Sequence, residues 1–462
     1  MTTPTNTLVK TAFSGHNIPP GPRGRWPFGS MRDFLSDNLG FMTHVAREYG
    51  DVAQYRMAHM TWYQVNHPDG IARILQENNR NYGKGALTLG VLRPLAGNGL
   101  FLSEGEFWLR QRRLMQPTFN HRHVAVFGEM IVEATGGLLL RWDNPAAAGR
   151  PIDMLREMSR LTLDIVSHAL FSTHVGDEGG AVGRAVTTLV EDIGYRFKVP
   201  FYPPPSVPTP RNLRRRAAQG ALDRTVYGII EARRRGETAG DDLLGLLMSV
   251  RDEETGEGMS DKQLRDEIIT LFIAGHETTA VTLTWAWHLL AAHSAAAERL
   301  RAELAAVLGG RAPTVADLSN LPYTRMVIEE TMRLYPPAWI TNREAVADDE
   351  VCGYHIPAGA IVLVSPYVIH HHPAYWDEPE AFDPERFTPE RSAGRTHYAY
   401  FPFGGGPRQC IGKGFALMEA QLILATAAQR YRLRHVPGQA VEPEALTTLR
   451  PRGGLPMFVE RA

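Results

Sequence analysis

Cysteine is nearly absent from this chain of 462 residues. The two that occur, Cys352 and Cys410, are too few for a disulfide framework or a cysteine-rich zinc site. One bridge between them stays open on sequence alone, although a reducing cytosol is the expected setting. Neither sign of charge dominates. The 49 Lys and Arg stand against 50 Asp and Glu, a net of −1, which gives no electrostatic reason to expect nucleic acid as a partner. No internal repeat is visible, and no stretch reads as about 18 uncharged apolar residues, the length that spans a bilayer. The opening MTTPTNTLVKTAFSG has no apolar run of signal or anchor length. These absences predict a soluble cytoplasmic protein without a membrane anchor.

What is present has the composition of an ordinary globular protein, 44% hydrophobic and 21% charged. Residues 1–30 form an extended lead-in that closes with the Pro/Gly-rich NIPPGPRGRWPFGS. DVAQYRM and TWYQVNHP (51–57 and 61–68) alternate as a strand pair. Helical patterns dominate from about 104 to 250. They are broken by VPFYPPPSVPTP (199–210), whose prolines cannot lie inside a helix; it is a surface loop, or a lid between two helices over a pocket. A long helix is predicted from about Ser260 to His293, with Ser260 as its cap. Another passes through YTRMVIEETMRLY and stops at Pro336-Pro337. GYHIPAGAIVLVSPYV reads as strand, a helix starts near Ile411, and TLRPRGGLPMFV reads as a closing hairpin. Helix outweighs strand severalfold and no shift in composition marks a linker. The expectation is a single mainly α domain with smaller β-sheets (α+β) over 1–462.

Cys410 lies in FPFGGGPRQCIGKG (401–414), behind three glycines and an arginine. An inert buried cysteine is the plainest account of a lone thiol. A nucleophile needs a nearby base, and this stretch supplies none. A phosphate loop fails because Pro407 stands where GxxxxGK needs its first glycine. A metal-ligating thiolate fits better. Cys410 would sit at the positive end of the helix that follows, where unpaired N–H groups favour an anion and can donate to sulfur. The turn Gly404–Gly406 would let the backbone press against a planar group, with Phe403 packed on it and Arg408 answering a negative charge at its rim. Haem has that shape and two propionates, and a single thiolate ligand leaves its opposite iron face open.

Phe403, Gly406, Arg408, Cys410 and Gly412 satisfy F-x-x-G-x-R-x-C-x-G, which resembles the signature of the cytochrome P-450 family of haem-thiolate monooxygenases. Three further motifs agree in order. AGHETT (274–279) cannot be a zincin site, since Ala280 stands where H-E-x-x-H needs its second histidine. It resembles the family's oxygen-activation motif, in which Thr278 would be the alcohol that hydrogen-bonds dioxygen at the iron and Glu277 the acid that relays protons. Gly275 weakens that helix by about 1 kcal/mol relative to Ala, and a widened turn is expected there. Glu330 and Arg333 share a helix face at i, i+3 and resemble E-x-x-R; with Arg386 from FDPERF the resemblance implies a buried structural triad under the cysteine loop. Trp108 and Arg112, at i, i+4, resemble the pair that grips a haem propionate, and Arg343 matches a further propionate arginine. HHHP (370–373) is expected to be solvated at a strand end, with His371 a possible contact at the haem edge; Cys352 has no partner motif.

The resemblance implies the cytochrome P-450 fold, with haem b between the long central helix and the helix after Cys410. The implied activity is an NADPH-dependent oxidoreductase that inserts one atom of O₂ into a lipophilic molecule, a role typical of secondary metabolism. Without a flavin or iron–sulfur motif, no fused reductase is expected. Electrons from NAD(P)H would arrive through a separate ferredoxin and ferredoxin reductase, docking near Arg408 and Lys413. Leu87, Leu92, Phe272, Ala274, Ala338, Ile340, Leu455 and Met457 are the expected pocket residues. RLYPPAWITNR and TLRPRGGLP look like bacterial members that oxidise terpenoids or carotenoids, with fatty acids and macrolides as further classes. An H₂O₂-driven peroxygenase and a non-catalytic haem-based sensor are the alternatives to a monooxygenase.

Overall fold

The computed structural model describes residues 17–172, 181–199, 202–237 and 242–462. Residues 1–16 of the lead-in, and Pro200 and Phe201 of the proline-rich break, lie outside that description. The central element is the helix Asp261–Ala292. Its start is set locally: Ser260 Oγ accepts from the Gln263 N–H, and the Gln263 side chain accepts from the Ser260 N–H. Apolar residues occupy nearly every side of it, including Leu264, Ile268, Phe272, Leu283 and Trp285, so it threads the core instead of lining it. It runs unbroken past Gly275, and the widened turn expected there is absent. Thr278 and Thr282 satisfy their hydroxyls by donating back to Ala274 O (2.7 Å) and Thr278 O (2.9 Å), which an intact helix permits.

Helices Met154–Phe171, Pro322–Leu334 and Lys413–Ala428 pack against the central helix. The last begins two residues later than the sequence predicts. One stretch, Arg122–Ala147, is long and apolar enough to cross a membrane by length and composition, contrary to the sequence expectation. Its helix Gly128–Ala147 packs Ile131, Leu138, Leu139 and Trp142 into the core.

Twelve strands occur among the described residues: β1 (Val52–Met57), β2 (Met60–Val65), β3 (Tyr82–Gly83), β4 (Ile152–Asp153), β5 (Thr341–Ala345), β6 (Asp349–Val351), β7 (Tyr354–Ile356), β8 (Ile361–Val364), β9 (Tyr431–His435), β10 (Pro443–Ala445), β11 (Leu449–Pro451) and β12 (Pro456–Arg461). The main sheet has the order β1-β2-β8-β5-β3, with β2 and β8 parallel. β1 and β2 form the expected pair, Val52 opposite Val65. The closing hairpin does not form. β11 pairs with β10, whereas β12 pairs with β9 and β4. Gly453 and Gly454, both at positive φ, turn the chain from one sheet to the other, and a Cβ on Gly454 would meet the Asp153 carboxylate at 2.6 Å. Residues Pro366–His370, expected as strand, are a short helix capped by Ser365 Oγ.

The break at 199–210 separates helix Ala181–Lys198 from helix Pro210–Arg234. In its described part, Asn212 Nδ2 donates to Pro204 O and Val207 O, tying the loop to the second helix.

Candidate active site

Cys410 is a free thiol, as is Cys352, so no bridge joins them. The glycines before Cys410 bend the loop sharply, with Gly404 and Gly406 at φ 68° and 63°. Two of the three press on protein and not on a planar group, which corrects the sequence reading. A Cβ on Gly405 would strike the Tyr398 ring at 2.2 Å, and one on Gly406 would lie 1.9 Å from Leu75 O. Only Gly404 opens onto free space. The Cys410 N–H donates to Phe403 O at 3.0 Å, closing the loop on itself. Burial pushes the Cys410 thiol up, while the Gly412 N–H, Arg112 and Lys413 pull it down. Yet the residue is open to solvent. Deep placement with an open surface is what a wall of an internal hollow presents.

Arg112, on helix Gly105–Met115, donates from Nη1 to Gln409 O at 2.9 Å, beside Cys410. Arg408 donates to Ser103 O (2.9 Å) and Glu104 Oε2 (3.0 Å) and stacks 4.4 Å over Trp108. Arg408 therefore points inward and is no surface cation; Lys413 remains exposed. Arg343, 8% exposed, is held down to about 10, by burial and then by Arg408. Lys84, which the sequence reading missed, is driven well below the ordinary lysine range by burial, then by Arg343 and Arg408. Glu104 is the one carboxylate that pulls Lys84 and Arg343 back up. Three basic side chains converge on one carboxylate, so the cluster favours added negative charge, which acidic groups bound there would supply.

On the central helix, Ala274 is exposed and Glu277 and Thr278 are partly so. Glu277 is raised above the usual carboxylate range by burial, against the Thr448 hydroxyl bond and the charge of Arg450. Thr448 Oγ1 donates to Glu277 Oε1 at 2.9 Å. Next to this pair, Thr279 hydrogen-bonds Glu419 on the cysteine helix, whose carboxyl burial pushes up to about 8. Thr448 opens the stretch TLRPRGGLP but has no role read from it, and Glu419 belongs to no motif read from the sequence; a buried Glu in an otherwise apolar helix was the available signal for Glu419.

Glu330, Arg333 and Arg386 come together. Arg333 is fully buried and bidentate on Glu330, at 2.7 and 2.8 Å, and Arg386 Nε lies 3.4 Å from Glu330 Oε1. Arg333 also donates to the carbonyls of His370, Pro379 and Ala381. His370 is not solvated. It is 0% exposed, its Nε2 accepts from the Phe401 N–H at 3.0 Å, and its Nδ1 faces Arg333 O. It thus joins the triad to the first residue of the cysteine loop. His371 is buried too, against Tyr367 O and Glu380.

The expected pocket residues divide. Ala274 and Ala338 are exposed, and Leu92 and Ile340 partly so. Phe272, Leu455 and Met457, at 1, 0 and 0% exposure, belong to the packed core and back the wall without forming it. Leu87 lies on helix Ala86–Ala96, with its side chain outside the described set.

An accessible thiol with N–H support and a cluster of Lys84, Arg343 and Arg408 around the single carboxylate of Glu104 fit a haem with its two propionates. The comparisons agree. The model of the family described as cytochrome P450 matches residues 19–455. A cyclooctat-9-en-7-ol 5-monooxygenase from Streptomyces melanosporofaciens is 38% identical over 84% of each chain. A pentalenene oxygenase from Streptomyces avermitilis is 35% identical over 89% of this chain and 90% of its own. The crystal structure of the cytochrome P450DA heme domain superposes with a TM-score of 0.87 at 25% identity, covering 97% of this chain and 98% of that one.

Proposed function

The chain belongs to the cytochrome P450 family of haem-iron monooxygenases, and from that premise we propose that it hydroxylates a terpenoid, a cyclic hydrocarbon or one of its alcohols. The observation that carries this reading is Glu277 and Thr278, side by side on an intact helix, in a chain that also presents an accessible Cys410 and resembles two oxygenases named for cyclooctat-9-en-7-ol and pentalenene. Ala274 and Ala338 add small apolar surface, which suits a bulky lipophilic substrate.

Haem, when bound, supplies the oxygen-activating chemistry. The chain's own residues do the rest. Cys410 would ligate the iron, its sulfur steadied by the Gly412 N–H. Lys84, Arg343 and Arg408 would take the two propionates, with Trp108 stacked under Arg408 and Arg112 holding the loop at Gln409. Phe403, with Lys413 5.9 Å from its ring, would pack beside the sulfur. Glu277 holds a proton more readily than an exposed carboxyl does and stands one residue from Thr278, whose hydroxyl can turn from Ala274 O to a ligand. Glu330, Arg333 and Arg386 keep the loop in place. Electrons would come from a separate ferredoxin and its reductase, docking where Lys413 is exposed, and the reaction would run in the cytoplasm.

Incubation of the holoprotein with NADPH, surrogate ferredoxin partners and a terpenoid panel tests the proposal. A reductant-dependent product carrying one added oxygen is expected, with Thr278→Ala keeping haem and substrate binding but diverting electrons to peroxide. Turnover of fatty acids or macrolides alone would refute the substrate class. Better activity with H₂O₂ than with the partners would refute the electron route.

A further inference from the structure

Trp26 is 87% exposed and Phe28 53% exposed, in a protein whose other tryptophans are buried or partly buried. Both stand at the tip of the turn Arg25–Gly29. The turn is closed by Arg25 N–H to Gly29 O (2.9 Å) and Gly29 N–H to Arg25 O (2.6 Å). It is fastened to the end of β1 by Ser30 N–H to Arg56 O (2.8 Å) and to the turn after it by Ala58 N–H to Phe28 O (3.0 Å). Gly29 has φ 65°, and a Cβ there would fall 2.1 Å from Arg56 O, so the turn sits directly against that strand. The aromatic tip is thus held outward on a fixed base.

Its surroundings are basic. Arg25, Arg32 and Arg56 are exposed and have no ion-pair partner among the described residues. Arg23 adds a fourth positive charge, and Asp33 is the one acid between residues 17 and 36. This local excess contrasts with a net charge of −1 for the chain. An indole and a phenyl ring between arginines match the interface of an anionic bilayer, where aromatic rings settle at headgroup depth and arginines meet phosphate. A convex tip of three residues is too small for a stable protein interface, which buries about 800 Å² per partner. A lipid surface needs no such complementarity.

We propose that the Trp26-Pro27-Phe28 turn seats this protein reversibly on an anionic lipid surface, as a peripheral contact and not a span. The contact is independent of the substrate proposed above.

Flotation of the holoprotein with phosphatidylcholine vesicles, and with vesicles that also contain phosphatidylglycerol, tests this. Binding to the anionic vesicles alone is expected, with release at high salt. Trp26→Ser/Phe28→Ser should weaken it about tenfold, and Arg25→Glu/Arg56→Glu at least as much. The substituted side chains are exposed, and an unchanged haem spectrum will show that the variants fold. Equal flotation of the parent and Trp26→Ser/Phe28→Ser overturns the proposal. So does loss of binding on removal of residues 1–16 when the tip variant still floats, which would assign the contact to those residues. Capture of polyglutamate by the turn without flotation would point to a protein partner and likewise overturn it.

Discussion

The hydroxyl of Thr448 donates to the carboxyl of Glu277 at 2.9 Å, across 171 positions of sequence. The acid beside Thr278 is thereby held from the β10–β11 hairpin, where Arg450 adds a positive charge and pairs with Glu444 at 3.8 Å. Burial raises Glu277, and Thr448 opposes that rise. Because Glu277 acts in its protonated form, Thr448→Val should move the alkaline limb of the pH–rate profile upward by about one unit, since a hydrogen bond to the charged form is lost. Thr448→Ser should restore it. A profile that does not move would make Thr448 a packing residue.

Arg343 gives a prediction of opposite sign in two states of the protein. Burial and Arg408 make its charge costly while no anion is bound. Arg343→Met should raise the urea stability of haem-free protein by something on the order of 1–3 kcal/mol. It should also release haem about tenfold faster to an apo-myoglobin trap. Loss in both states would show that Arg343 serves packing and not an anion.

Removing Arg333 strands a fully buried Glu330. Arg333→Ala should cost about 3–5 kcal/mol in urea unfolding, and Arg386→Ala less, because its Nε lies 3.4 Å from the carboxylate without a hydrogen bond. Equal losses for the two would contradict the bidentate geometry.

Glu419 and Glu267 are both pushed up to about 8 by burial. A carboxyl raised on folding stabilises most below its unfolded value, and that contribution is lost as pH rises through the folded one. The melting temperature should therefore fall between about pH 4.5 and 8. Glu419→Gln, which cannot ionise, should gain on the parent protein across that window. A constant difference between the two would mean that Glu419 does not titrate there.

The sequence declared what is fixed locally. Ser260 and Gln263 form their cap within four residues, so the start of the central helix was readable. The motif around Cys410 was readable because its glycines and arginine are contiguous. What depends on distant partners was not. His370 looks solvated until Phe401 and Arg333 close over it. The final strands look like a hairpin because their partners β10, β9 and β4 lie elsewhere in the chain. Lys84 and Glu104 carry no motif, and only the approach of Arg343 and Arg408 makes them part of the site.

The loop of Cys410 is tied to Gln76 through Tyr398, to Ser103 and Glu104 through Arg408, and to Arg112 through Gln409, over 297 to 322 positions. On the ribosome, these particular ties cannot close until the last tenth or so of the polypeptide has been made. On the proposed role of Cys410, acquisition of the prosthetic group is then a late event in biosynthesis, and a translation product halted before Phe401 would have the central helix in its sequence yet lack the thiol proposed to hold the iron.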